Sequence, residues 1–172
     1  TNNIFNFSPS ACHWLRQRII NNLPKSEDSK QVFSPRILLS RRKAMRRRVI
    51  NEDELIKVLA PFGFVSYTLE EMSVEQQIRL FSQAKIVISP NGAGLANIIF
   101  SQDLTLIEMM TEPFDPMYFY LSKLLGFKYH LFNCASTSKQ TNFSDVVVDT
   151  NKLQDVIERI LNINLITKFS YV

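Results

Sequence analysis

The chain has 172 residues, of which 45% are hydrophobic and 21% are charged. These values are close to the averages for globular chains and exclude a disordered, collagen-like or coiled-coil protein. The length predicts one domain, or a domain with an arm, rather than two large lobes. No apolar run approaches the roughly 18 residues of a membrane-spanning helix, and the first residues lack the pattern of a signal peptide, so we expect neither.

The two cysteines, Cys12 and Cys134, lie far apart and form no CxxC pair. This spacing argues against a zinc site or a thioredoxin-type redox site. We expect two unreactive, reduced thiols, which are typical of a cytoplasmic protein.

The first part of the chain differs in pattern from the rest. Residues 9–22 carry apolar side chains at helical spacing, and residues 24–35 are polar and contain two prolines. These patterns predict an amphipathic helix followed by a linker. We therefore expect an N-terminal helix and linker over residues 1–34 and a main domain over residues 35–172.

Short apolar runs alternate with amphipathic segments through the main domain. The predicted strands are residues 36–40, 64–69, 85–89, 104–110, 127–133 and 146–148. The predicted helices are residues 52–60, 74–84, 95–100, 117–125 and 151–163. Two helix starts have the pattern of a capping box, Asn51 with Glu54 and Ser73 with Gln76.

Continuous apolar strands that alternate with helices of about ten residues indicate βαβ units around a parallel sheet covered on both faces. The predicted fold class is therefore α/β, a Rossmann-like, doubly wound domain with a mainly parallel sheet. Ligands of such domains bind at the carboxyl ends of the strands, near the point where the strand order reverses. Candidate sites should therefore follow strands.

One segment with this placement is Ser89–Leu95, which leaves a predicted strand and opens a helix. Gly92 and Gly94 have no Cβ, so the backbone can approach a ligand closely. The N–H groups at the start of the following helix favour an anion such as a phosphate. The alternative is a tight turn that needs glycine only for its geometry, because a lone glycine pair is a weak motif.

A second segment with this placement is rich in arginine. Seven of the twenty Lys and Arg residues fall between positions 36 and 48, with no acid among them: Arg36, Arg41, Arg42, Lys43, Arg46, Arg47 and Arg48. Guanidinium groups present paired donors that match phosphate oxygens. A solvated basic loop and a nucleic-acid patch are the alternatives. Two anion-favouring segments on one edge of one sheet together suggest a diphosphate ligand.

Glu108 falls at the end of the strand that follows the glycine segment. A carboxylate there could accept hydrogen bonds from ribose hydroxyls, as an acid does in dinucleotide-binding folds. The alternative is an exposed carboxylate at the strand end. His130 lies within a predicted strand and is interpreted as a structural histidine.

Taken in order, the motifs of residues 36–130 resemble those of glycosyltransferase family 61, which includes bacterial capsular-polysaccharide biosynthesis proteins. The residues that carry the resemblance are Ser40-Arg41, Ala44, Arg47-Arg48-Val49-Ile50-Asn51-Glu52-Asp53-Glu54-Leu55, Gly63-Phe64, Gln76 or Gln77, Leu80-Phe81, Ala84, Pro90-Asn91-Gly92-Ala93-Gly94-Leu95-Ala96-Asn97, Phe100 and Glu108. The complete string is much more specific than any one of its pieces.

The resemblance implies an inverting glycosyltransferase of the GT-B type, which has two Rossmann-like lobes. It implies that the substrates are a nucleotide sugar, usually UDP-linked, and a glycan acceptor, and that no metal or other cofactor is required. The chain would then be the C-terminal, donor-binding lobe, and its main partner would be the N-terminal lobe of the same protein. The helix at residues 9–22 would belong to the connection between the lobes.

Under this resemblance, Arg41 and Arg47 are the candidate catalytic residues, because they would stabilise the departing diphosphate. The candidate donor-binding residues are Arg41, Arg47, Arg48, Asn91, Gly92, Ala93, Gly94, Leu95 and Glu108. The family usually has a histidine where this chain has Asn91. Asparagine can donate a hydrogen bond but cannot become cationic or transfer a proton, so the activity could be weak or altered.

Two other functions are compatible with parts of the sequence. A dinucleotide-binding oxidoreductase domain would explain Gly92-Ala93-Gly94 and the acid on the next strand, but Asn97 replaces the third glycine of that fingerprint. A nucleic-acid-binding module would use the arginines, but the acidic residues 52–54 follow them and no known recognition motif is present. We therefore expect no nucleic-acid partner.

The reduced cysteines and the resemblance to capsule enzymes predict a location in the bacterial cytoplasm, with peripheral association at the inner membrane face. The alternative is the secretory lumen of eukaryotes, where some relatives of the family work.

Overall fold

The computed structural model describes residues 8–24, 30–138 and 144–162. Its helices are α1 (Pro9–Asn21), α2 (Glu52–Leu59), α3 (Val74–Gln83), α4 (Met117–Leu124) and α5 (Thr150–Ile160). Its strands are β1 (Arg36–Leu39), β2 (Val65–Tyr67), β3 (Ile86–Pro90), β4 (Thr105–Met110), β5 (Lys128–Asn133), β6 (Ala135–Ser136) and β7 (Val146–Val147). Short 3-10 helices span Ala60–Phe62, Leu69–Glu71 and Ala93–Phe100. Residues 25–29 of the predicted linker and residue 163 of the predicted last helix lie outside the described residues.

Five strands form one sheet in the order β2-β1-β3-β4-β5, and every neighbouring pair is parallel. Side chains from alternate strand positions pack in two separate clusters, so helices cover both faces. On β1, Ile37 and Leu39 pack with residues of α3 and α4, whereas Leu38 packs with residues of α2 and α5. This arrangement confirms the predicted Rossmann-like α/β fold.

The strand order reverses between β1 and β3, which are neighbours in the sheet. At such a reversal the two connections leave toward opposite faces, and a crevice opens at the carboxyl ends of the strands. The register pairs Arg36 with Ile86 and Leu38 with Ile88. The two strands therefore end side by side, and the segments that follow them start in the same crevice.

The last predicted strand, residues 146–148, forms outside the main sheet. β7 pairs antiparallel with β6 in a separate two-stranded sheet. Val146 also forms a parallel bridge with Val49. The segment that leads into α5 therefore runs along the end of the arginine-rich segment instead of extending the five-stranded sheet.

The N-terminal helix lies against the main domain. None of its residues is fully buried, and Trp14 is 64% exposed. Cys12, Ile19 and Ile20 pack on the core, and Arg16 Nε donates to the carbonyl oxygen of Ile99 at 2.5 Å. The division of the chain at residue 34 stays a prediction.

Two further sequence expectations concern cysteines and membranes. Cys12 and Cys134 are both free thiols, and burial raises the pKa of Cys134 to about 12, which keeps it protonated and unreactive. Within the ranges that the structure covers, no helix has the length and apolar character needed to cross a bilayer.

The two predicted capping boxes have different outcomes. At α3, Ser73 Oγ accepts from Gln76 N at 3.1 Å and Gln76 Oε1 accepts from Ser73 N at 3.0 Å, so this box is confirmed. At α2, Asn51 is at the predicted N-cap position and its Nδ2 donates to Glu54 Oε2 at 3.2 Å, but its side chain caps no backbone N–H of the helix, so the capping box was wrong. The Asn51 side chain also bonds to both backbone groups of Val148, at 2.8 and 3.0 Å.

We predict that Asn51→Ala destabilises the fold. The substitution leaves the N–H and carbonyl of Val148, a residue only 2% exposed, without their partner, and such a loss costs about 1 to 3 kcal/mol. Urea unfolding should show the loss, whereas Asn151→Ala, at an exposed position of α5, should change stability by less than about 0.5 kcal/mol. Equal effects of the two substitutions would contradict the structural role of Asn51.

Candidate functional site

The candidate site lies at the carboxyl ends of β1 and β3. Two segments meet there, the arginine loop (residues 41–48), which follows β1, and the glycine turn (residues 91–94), which follows β3. A cavity of about 310 Å³ opens between them. Its lining residues are Leu39, Ser40, Arg41, Leu69, Glu70, Gln77, Ser89, Gly92, Ala93, Gly94 and Asn97. Both segments singled out from the sequence therefore border one cavity.

Gly92 makes room for an arginine. A Cβ atom on Gly92 would lie 2.7 Å from Arg41 Cζ, far inside a normal contact distance. A Cβ on Gly94 would lie 2.7 Å from Leu69 Cδ1 on the other wall of the cavity. The glycines thus serve close packing as well as the turn, so the purely local interpretation of the turn does not account for them.

The helix after the glycine turn is a 3-10 helix that begins at Ala93. Its first internal hydrogen bond runs from Leu95 N to the carbonyl oxygen of Gly92 at 3.0 Å. The N–H groups of Ala93 and Gly94 precede that bond and have no acceptor within the helix. Leu95 itself is fully buried in the core, so its N–H group and side chain both serve the fold.

Arg47 reaches the glycine turn from the other side. Its Nη1 donates to Asn91 Oδ1 at 2.5 Å and to the Asn91 carbonyl oxygen at 3.4 Å. Its backbone is left-handed, with φ of 58°, a conformation that costs a residue with a side chain roughly 1 to 2 kcal/mol. Surrounding contacts must therefore hold Arg47 in this conformation.

Asn91 connects Arg47 to two buried groups. Its Nδ2 donates to Glu108 Oε1 at 2.7 Å, and Tyr129 Oη donates to Glu108 Oε2 at 2.7 Å. A guanidinium only donates and a carboxylate only accepts, so these two neighbours fix the orientation of the Asn91 amide. Asn91 is 5% exposed and Glu108 is fully buried.

The placement of Glu108 corrects both interpretations made from the sequence. Its carboxylate is neither exposed at a strand end nor open to ribose hydroxyls, because both oxygens accept hydrogen bonds inside the protein. Burial raises its pKa, while the bonds from Tyr129 and Asn91 oppose that shift. Glu108 therefore acts on the candidate site through Asn91.

The arginines divide into two groups according to their neighbours. Burial lowers the pKa of Arg41 and Arg47, and neighbouring positive charges lower them further, Arg46 at both and Arg41 at Arg47. Glu70 opposes this shift at Arg41, and Asp115 opposes it at Arg47. Arg41 Nε is also buried without a hydrogen-bond partner among the described residues. A partly desolvated cluster of positive charges is stabilised by a bound anion, so these two groups suit an anionic ligand.

Arg42 and Arg48 are instead paired with acids. Asp53 raises the pKa of Arg42 through a side-chain hydrogen bond, and Asp145 does the same for Arg48. The Arg48 Nη2 to Asp145 Oδ2 distance is 2.6 Å.

Arg48 lines a different cavity from Arg41, and Arg47 and Asn91 line a third, of about 10 Å³. Arg47 is nevertheless joined to the glycine turn by its bond to Asn91, whereas the described contacts of Arg48 do not reach that turn.

Sequence reasoning missed Tyr129 and Asp145, which lie 21 and 97 residues from the groups that they bond. No local pattern marks either residue.

A larger cavity, of about 520 Å³, lies at the amino ends of strands β3, β4 and β5, and none of the predicted site residues lines it. His130, interpreted as structural, is exposed and lines that cavity.

Comparison with known proteins places the chain in a family. The family model described as glycosyltransferase 61 matches residues 2–107, more than half of the 172 residues. The chain therefore belongs to glycosyltransferase family 61, as the motifs of residues 36–130 predict.

Two characterised proteins are similar to the chain. An EGF domain-specific O-linked N-acetylglucosamine transferase from Gallus gallus is 24% identical over 132 residues, 70% of this chain and 25% of the relative. A beta-1,2-xylosyltransferase from Arabidopsis thaliana is 27% identical over 108 residues, 54% of this chain and 20% of the relative. The chain thus spans about a quarter of the first relative and a fifth of the second. Because these relatives come from a bird and a plant, they lend no support to a bacterial cytoplasmic location.

We predict that Glu108→Gln changes how stability depends on pH. Because burial raises the Glu108 pKa above its usual 4.5, the stabilisation is complete below that value and is lost as pH rises through the folded-state pKa. Urea unfolding at pH 4 and pH 7 should therefore show wild type losing stability relative to the Gln variant on going to pH 7. In Tyr129→Phe, which lacks one donor to the carboxylate, the folded-state pKa of Glu108 should be higher still, so the loss should extend to higher pH. Parallel pH profiles for wild type and Glu108→Gln would contradict this prediction.

Proposed function

We propose that the chain is the donor-binding lobe of an inverting, metal-independent glycosyltransferase of the GT-B type. The enzyme would transfer a sugar from a nucleotide sugar, UDP-linked in our proposal, to a glycan acceptor. The observation that carries the proposal is the convergence of Arg41 and Arg47 on the glycine turn at the reversal of strand order. Family membership supports the class of reaction.

The chemistry of the site supports a diphosphate ligand. Arg41, Ala93 and Gly94 line the cavity of about 310 Å³, and the guanidinium of Arg47 bonds Asn91 at the start of the same glycine turn. Charge-assisted hydrogen bonds of this kind contribute about 1.5 to 3 kcal/mol each. In our proposal these donors hold the diphosphate, and the rest of the donor occupies the cavity.

The proposed reaction is a displacement at the anomeric carbon. An acceptor hydroxyl attacks that carbon from the face opposite the diphosphate, the new C–O bond forms, and the bond to the diphosphate oxygen breaks, which inverts the configuration. The leaving nucleoside diphosphate gains negative charge as this bond breaks. Arg41, Arg47 and the backbone donors are fixed in advance and would stabilise that charge without a metal ion. We expect the base that removes the acceptor proton on the other lobe or at the cleft between the lobes.

The two alternative functions are weaker after the geometry is considered. In an oxidoreductase domain Glu108 would bind ribose, but its carboxylate is buried and bonded to Asn91 and Tyr129. In a nucleic-acid-binding module the exposed arginines would bind phosphates, but Arg42 and Arg48, which are about half exposed, are already paired with acids. Family membership also favours a transferase.

The names of the two relatives bear on the acceptor. The two relatives are named for transfer to EGF domains and for xylosyl transfer, so we propose a glycan or a glycosylated protein as the acceptor. A role in capsular polysaccharide synthesis remains a second proposal, and it rests on the family resemblance alone.

The direct test is nucleotide binding with and without Arg47. Wild type should bind UDP in isothermal titration calorimetry, and Arg47→Ala should weaken binding about 10- to 100-fold, because it removes a charge-assisted donor. The matched control is Arg42→Ala, since Arg42 belongs to the same loop but is bonded to Asp53 at 2.6 Å. Unchanged UDP affinity in Arg47→Ala would refute the assignment, and binding of NADH in preference to UDP would revive the oxidoreductase alternative.

We also predict that Gly92→Ala weakens UDP binding by displacing the Arg41 guanidinium, which leaves no room for a Cβ atom. The loss should be about tenfold, comparable with losing one charge-assisted hydrogen bond. In an Arg41→Ala background the clash is absent, so adding Gly92→Ala should have little further effect. Additive losses in the double variant would show that Gly92 acts independently of Arg41.

A further inference from the structure

Asp145 holds Arg48 at two points. Its Oδ1 accepts from the Arg48 backbone N at 2.8 Å, and its Oδ2 accepts from Arg48 Nε at 3.0 Å and Nη2 at 2.6 Å. The Asp145 side chain is only 15% exposed, although that of Arg48 is 48% exposed. Main chain and side chain of one arginine are thus bonded to a single carboxylate.

The backbone on either side of this contact is also paired. Val146 N donates to the Arg48 carbonyl oxygen at 2.8 Å, and Ile50 N donates to the Val146 carbonyl oxygen at 2.9 Å. Further along, the Asn51 side chain bonds both backbone groups of Val148. Residues 145–148 therefore run beside residues 48–51 and anchor them to the part of the chain that leads into α5.

The residue just before this anchor is Arg47. It has the left-handed backbone, and its guanidinium bonds Asn91 in the glycine turn. A left-handed residue with a side chain persists only where its neighbours hold it. On one side Arg47 is held by its own bond to Asn91, and on the other its neighbour Arg48 is held by Asp145.

We propose that Asp145 is a positioning residue, which fixes Arg48 and thereby keeps Arg47 directed at the glycine turn. In this arrangement Arg48 contacts Asp145 and not the nucleotide, so it differs from the donor-binding role expected from the sequence. The effect on nucleotide binding rests on the proposed function, whereas the effect on the conformation of the arginine loop does not.

The first experiment measures UDP affinity by calorimetry. Asp145→Ala should weaken binding about three- to tenfold, the size expected from losing a partly exposed ion pair and one backbone hydrogen bond. Asp103→Ala is the matched control. Asp103 is an 87% exposed aspartate whose Oδ2 lies 3.8 Å from Lys85 Nζ, at the amino ends of the strands and therefore away from the candidate site. This substitution should leave the affinity unchanged.

The decisive comparison uses the Arg47→Ala background. If Asp145 and Arg48 act through Arg47, neither Asp145→Ala nor Arg48→Ala should weaken UDP binding further there. If either substitution keeps its full effect without Arg47, that residue contributes directly to binding and the positioning role is overturned.

A second measurement needs no nucleotide. Hydrogen–deuterium exchange over residues 44–50 of the ligand-free protein should be faster in Asp145→Ala than in wild type or Asp103→Ala. Asp145→Asn keeps one oxygen that can accept from Arg48 N and should restore part of the protection. Faster exchange without UDP binding in wild type would support the positioning role and refute the proposed function, whereas unchanged exchange would refute the positioning role whatever the nucleotide result.

Discussion

Backbone hydrogen bonding between β1 and β3 is the constraint on which the candidate site depends. Neighbouring parallel strands lie about 4.8 Å apart, so the segments that leave them start within reach of one arginine side chain. The register also matters, because a slip of one residue would turn Leu38 to the opposite face of the sheet and expose the cluster that it joins. The same pairing that buries the core therefore brings Arg41 against Gly92.

Acidic residues outside the arginine loop are bonded to two of its arginines. Asp53 on α2 pairs with Arg42, and Asp145 before β7 pairs with Arg48. Arg41 and Arg47 lie closer to the sheet, and burial and Arg46 lower their pKa values. Arg42 and Arg48 are thus bonded to carboxylates, whereas Arg41 and Arg47 contact the glycine turn at the ends of β1 and β3.

Local patterns were sufficient to predict most of the fold. Apolar strands and the Ser73 capping box are readable because each depends on neighbouring residues, and the meeting of the two segments follows from the general rule for α/β sheets. Asn51 was misinterpreted because a partner 97 residues away outcompetes its own helix. The burial of Glu108 and its bond to Tyr129 depend on side-chain packing between strands, and the two-residue strand β7 is too short to show a period.

The pairing of residues 48–51 with residues 145–148 makes the arginine loop depend on the last part of the chain. All five strands of the main sheet end by Asn133, before Asp145 in the sequence. A truncation after Asn133 would keep these strands and remove the carboxylate that bonds Arg48. It would also remove α5, whose Leu153 and Ile157 pack on one face of the sheet. The same C-terminal segment therefore serves both the core and the loop.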